Sequence, residues 1–134
     1  MFVGHYAASL ALKSLDIRVS LGTLFLAVQF VDILFFPLVL LGVEGMNVVP
    51  GYTASTHFEL EYMPYTHSWV ASLGWAALAY ALFRWVLRRK HSSALLVAVA
   101  VFSHWALDLL VHTPDLPLAS DSSLKLGLGL WNHA

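Results

Sequence analysis

Residues 93–112 read SALLVAVAVFSHWALDLLVH, and this stretch decides the fold. Twenty residues with one acidic side chain and no Lys or Arg are long enough to cross roughly 30 Å of hydrocarbon as a helix. The run nevertheless contains His104 and Asp108. Four residues apart, they share one helical face, a turn apart in height. An ionised Asp near the bilayer centre costs about 2.5–3.5 kcal/mol even on a lenient insertion scale. Such a residue pairs with another group, binds an ion, or lines a water-filled cavity.

Working outward, residues 68–88 (SWVASLGWAALAYALFRWVLR) read as a second span, with Ser68 as N-cap. Residues 19–41 (VSLGTLFLAVQFVDILFFPLVLL) read as another, in which Pro37 is tolerable as a kink. Residues 2–15 (FVGHYAASLALKSL) reach only roughly 20 Å, too short to cross upright, so a half-membrane or interfacial helix is expected there. Between the first and second spans, 42–66 is a polar loop rich in Gly, Pro and Thr. The sequence therefore predicts a single domain, 1–134. Its expected fold is an all-α polytopic helical membrane bundle of three transmembrane helices plus a short N-terminal half-membrane helix.

Composition agrees. Hydrophobic residues make up 59% of the chain and charged residues 11%, too few charges to cover a water-soluble surface of this size. The net charge of −1 argues against a nucleic-acid partner, and the absence of cysteine excludes disulfides and thiolate ligands. Met1-Phe2-Val3-Gly4-His5 has no basic region typical of a signal peptide. The tail GLGLWNHA reads as the approach to a further span, as in a chain truncated at its C-terminus. Arg84, Arg88, Arg89 and Lys90 place the 84–90 loop in the cytoplasm, and Lys13 and Arg18 agree. The loop 42–66, with Glu44, Glu59 and Glu61 but no Lys or Arg, then faces outward.

Counting residues from the cytoplasmic end of each helix puts His5, Asp32, His104 and Asp108 roughly 15, 20, 16 and 22 Å up. His67 lies higher, roughly 30 Å, at the start of its span. His and Asp suit zinc or another divalent first-row ion, which would also offset the buried carboxylates. His5, Asp32, His67, His104 and Asp108 are accordingly the candidate ligands. Plainer readings stand beside this one. Asp32 and His104 alone would make a helix-pairing contact, and His5 fits an interfacial residue. His57, His91, His112 and His133 read as surface histidines, and Glu59 and Glu61 as a solvated loop. Asp115 reads as a turn residue. Tyr62, Tyr65, Trp69, Trp85 and Trp131 read as an aromatic belt without chemistry.

Gly4-His5, Gln29–Asp32, Tyr65-Thr66-His67-Ser68 and Ser103-His104-Trp105-Ala106-Leu107-Asp108 resemble the YdjM-like family of bacterial inner-membrane metal-dependent hydrolases. The order His, Asp, His, HxxxD is also similar to that of the zinc-dependent phospholipase C and single-strand nuclease superfamily. That resemblance implies one zinc held by Asp32, His67, His104 and Asp108, and a second served by His5 and bridged by Asp108. Asp108 and His104 would be catalytic through the metal. Two departures are visible: the family's Pro-Asp-x-Asp is here Gln29-Phe30-Val31-Asp32, and its Arg-Gly before Thr-His-Ser is here Pro64-Tyr65. The expectation is a multi-pass inner-membrane hydrolase acting on a lipid or other phosphoester near the outer headgroup layer. A proton- or ion-coupled transporter component and a structural membrane subunit are the competing classes.

Overall fold

The helix His91–Val111 (α5) is the axis around which the rest packs. The computed structural model describes residues 3–133. Ala94, Val97, Val101, His104, Asp108 and Val111 are all buried on α5. Their three- and four-residue spacing makes them one stripe, so its polar members face the same way as its core residues. Against α5 lie α1 (Tyr6–Lys13), α2 (Leu21–Val28), α3 (Phe30–Leu40) and α4 (Trp69–Ala81), the last continued by a π-helical turn at Leu82–Val86. Leu24, Ala27, Val28, Ala76, Leu96 and Val101 form the main core. Ser9 ties α1 to α2 by donating to the Leu24 carbonyl at 3.1 Å.

Two helical stretches, Trp69–Val86 and His91–Val111, are long and apolar enough to cross a membrane, or three if α2 and α3 count as one bent span. Large apolar side chains such as Leu26, Val70, Leu78 and Leu95 face outward around the bundle. A water-soluble monomer rarely exposes so much apolar surface, whereas lipid solvates it.

Four expectations need correction. The protein is mostly helical but not all-α. Residues 42–66 carry an antiparallel hairpin, β1 (Gly45–Val48) with β2 (Phe58–Tyr62), and the tail adds β3 (Leu116–Pro117) with β4 (Lys125–Leu126). The hairpin is a consequence of Phe58-Glu59-Leu60-Glu61-Tyr62, whose alternation has the period of a strand. Glu59 and Glu61 both accept from Asn47 Nδ2 across the hairpin. The 19–41 segment is broken by 45° at Gln29 rather than kinked at Pro37, which lies inside α3. The N-terminal helix begins at Tyr6, while Phe2 lies outside the described residues. Finally, the tail folds back on the bundle: Leu128 and Gly129 donate to the Leu109 and His112 carbonyls at 2.8 and 2.7 Å. Those carbonyls end α5 and would otherwise lack partners.

The opposite end is knitted by Asp16. It accepts from Arg18 at 2.9 Å and from the Ser93 hydroxyl at 2.7 Å, joining the α1–α2 turn to the start of α5. The Arg18 guanidinium, then the Ser93 hydroxyl, hold the Asp16 carboxyl well below the usual carboxylate range.

Candidate metal centre

The five candidate ligands arrive from four parts of the chain. His5 stands at the N-cap of α1, Asp32 in the first turn of α3, and His67 just before α4, while His104 and Asp108 are stacked on α5. The structure brings all five together. His104 Nε2 lies 3.0 Å from Asp108 Oδ2 and 3.4 Å from Asp32 Oδ1. His67 Nε2 is 3.3 Å from Asp32 Oδ1 and 3.8 Å from Asp108 Oδ2, and His5 Nε2 is 3.1 Å from Asp108 Oδ1. Ligands bound at about 2.0–2.1 Å in a tetrahedron stand roughly 3.3 Å from one another, so these gaps have the size of such a shell. His5, His104 and Asp108 form one group able to hold a metal ion, and Asp32, His67 and His104 another.

Hydrogen bonds on the far side of each ring decide which nitrogen faces inward. His104 Nδ1 bonds the Val28 carbonyl at 2.6 Å. A carbonyl only accepts, so Nδ1 carries the proton and Nε2 of the neutral ring is a bare lone pair. His67 Nδ1 sits 2.7 Å from Thr66 Oγ1, whose own proton goes to Glu44 Oε2 at 2.7 Å. The hydroxyl must therefore accept from Nδ1, and His67 Nε2 is likewise bare. Outer hydrogen bonds of this kind are what orient metal-binding histidines. Lone pairs of neutral rings and ionised carboxylate oxygens repel unless a cation lies between them. Neither ring nitrogen of His5 nor Nε2 of His104 makes an aligned hydrogen bond among the described residues, although carboxylate oxygens are close. That arrangement fits groups aimed at a common third point. The residues present fit a divalent ion with nitrogen and oxygen ligands.

Two residues read from sequence as ordinary belong here. His112 is buried, not on the surface, with Nδ1 donating to Asp115 Oδ1 at 2.9 Å and Nε2 3.6 Å from Asp108 Oδ1. Asp115, read as a turn residue, is buried and also accepts from Thr113 at 3.1 Å. The signal was present as His104-x3-Asp108-x3-His112, one further step of the same helical face. Glu44 was expected in the outward loop. It is instead buried, accepting from the Tyr65 and Thr66 backbone amides at 2.9 and 3.0 Å. Trp131, read as a belt residue without chemistry, packs its ring 4.2 Å from that of His112. His57, His91 and His133 are exposed, as expected.

A cavity of about 360 Å³ opens beside these residues. Asp32, His67, Asp108 and His112 line it together with Phe35, Phe36, Met46, Phe58 and Leu60, and Trp131 from the tail. The hairpin is joined to the tail there, the Ser55 amide donating to the Trp131 carbonyl at 3.2 Å. Gly127 makes that fold-back possible, because a Cβ on it would collide with the carbonyl oxygens of Thr113 and His112. Gly127→Ala is expected to detach the tail while sparing the bundle. Limited proteolysis would then cut after Ser123 at least tenfold faster, and an unchanged cleavage rate would show that the tail accommodates the methyl group.

Comparison with protein-family models, with characterised proteins and with solved structures finds no match to this chain.

Proposed function

We propose that this protein is a membrane-embedded, metal-dependent hydrolase whose substrate is a lipid phosphoester. The observation that carries the proposal is the inward turn of imidazole Nε2 atoms onto Asp32 and Asp108, beside a cavity that apolar side chains also line. Asp108 turns Oδ2 towards His104 and His67 and Oδ1 towards His5 and His112, which favours two metal positions over one. In this reading Asp32, His67, His104 and Asp108 Oδ2 hold the first ion, and His5, His112 and Asp108 Oδ1 the second. Zinc suits this mixture of imidazole and carboxylate.

When bound, such ions lower the pKa of a water towards neutrality and polarise a phosphoryl oxygen. The chain supplies the rest. Val28, Thr66 with Glu44, and Asp115 fix three imidazoles in the tautomer that leaves Nε2 available. Asp108 and His104 act by holding and sharing the ions rather than by carrying protons. Phe36 and Phe58, half exposed at the cavity, offer an apolar wall to an acyl chain while the headgroup ester meets the ligands. Membership of the YdjM-like hydrolases belongs to the same proposal. So does an orientation with the site in the outer half of the membrane and the 84–90 turn in the cytoplasm.

Zinc-loaded protein reconstituted with phospholipid vesicles is expected to release a phosphorylated headgroup or phosphate. Chelation should abolish the release and added zinc restore it. Protein that carries zinc yet cleaves no phospholipid above the Asp108→Asn background would sink the hydrolase reading.

A further inference from the structure

At the far end of the bundle two turns close on a second cavity, of about 420 Å³. Arg18 reaches it from the α1–α2 turn, and Arg88, Arg89 and Lys90 from the α4–α5 turn. Asp108 stands 15 residues beyond Ser93 on α5, so this cavity is roughly 20 Å from the metal ligands. Arg88 holds φ +52, a conformation unfavourable for a side chain with a Cβ, within the turn that carries three consecutive cations. Asp16, the carboxylate at this end, is committed to Arg18 and Ser93. Arg88, Arg89 and Lys90 make no ion pair among the described residues. The first turn of α5 also starts here without a side-chain cap, leaving backbone N–H groups that add to the positive field.

Like charges gathered round one cavity repel one another unless an anion joins them. The surroundings point to where that anion comes from. Leu15 and Ile17 on one turn are 73% and 81% exposed, and Trp85 and Val86 beside the other are 67% and 69% exposed. Apolar side chains flanking a basic pocket between membrane helices are the setting in which anionic headgroups bind. We propose that this cavity binds a phosphate group, carried by an anionic phospholipid whose acyl chains run along the exposed apolar side chains. The site is independent of the metal centre, and its test does not depend on hydrolysis.

The test uses the full-length protein in neutral detergent, with phosphatidylglycerol, phosphatidylcholine or inorganic phosphate added separately. Native mass spectrometry is expected to retain one phosphatidylglycerol and no phosphatidylcholine, and phosphatidylglycerol is expected to raise the unfolding temperature. Removing a cation should weaken retention about fivefold each for Arg18→Gln, on one turn, and Arg89→Gln, on the other. Arg84→Gln removes the same charge from an exposed position outside the cavity, and should change retention less than about twofold. Unfolding temperatures without lipid establish that each variant is folded. A response to inorganic phosphate alone would keep the site and make its ligand a soluble phosphate. Equal retention of both lipids, or an Arg84→Gln loss as large as that of Arg89→Gln, would overturn the proposal.

Discussion

Asp108→Asn is expected to empty the centre of metal and to lose most of its destabilising effect when a chelator is added. Asp108 is 1% exposed and offers one oxygen to each side of the site, Oδ2 towards His104 and His67, Oδ1 towards His5 and His112. Exchanging one oxygen for an amide removes the charge and the bridge together. Changes in outer-shell residues alone cost about 10–100-fold in metal affinity, so loss of the shared ligand should exceed about 100-fold. With metal present the wild type should be much the more stable protein, since an ion bound only by the folded state stabilises it by mass action. Under chelation the difference should shrink to what the Asp108 contacts with His5, His104 and His112 contribute on their own, because rings beside a carboxylate take up protons once the ion is gone. Elemental analysis and unfolding temperatures with and without chelator measure both effects. A helix-locking ion pair without metal would instead lose the same stability in both conditions.

The second large effect concerns the number of ions. Wild-type protein is expected to bind two divalent ions per chain. His112→Ala and His5→Ala should each leave one, and the double variant should also leave one, since either change already dismantles the same position. His67→Ala should remove the other ion and spare the position at His5. Hydrolysis should fall at least 100-fold in all of these, because two ions share the attacking and leaving oxygens of a phosphoester. If His112→Ala retains both ions, His112 and Asp115 are a structural pair and the second position is wrong.

The path of α5 and the height of its polar residues were legible because a long apolar run with two ionisable groups permits few arrangements. Counting along helices placed His5, Asp32, His104 and Asp108 in one layer, and the structure brings them within contact of one another. His112 was lost because it falls at the span's end, where interfacial histidines are unremarkable. Its place is fixed by Asp115 and Trp131, whose approach depends on the tail folding back. The strand Phe58–Tyr62 had a visible period of two, outweighed by the Gly and Pro around it. The break at Gln29 had no local signature, since neither Gly nor Pro marks it. It is stabilised by His104, far away in sequence.

That break also bears on how the protein is made. The Val28 carbonyl ends α2 and finds its partner in His104, 76 residues later in the chain. Non-helical backbone at membrane depth is tolerated only where other groups satisfy it. When residues 19–41 first leave the ribosome, neither His104 nor Asp108 has been synthesised. The bent backbone at Val28 then has no partner, so the segment is expected to bend only when α5 docks. The ligand set is assembled only once α5 has docked, and a chain stopped before residue 104 should remain unbent and bind no metal.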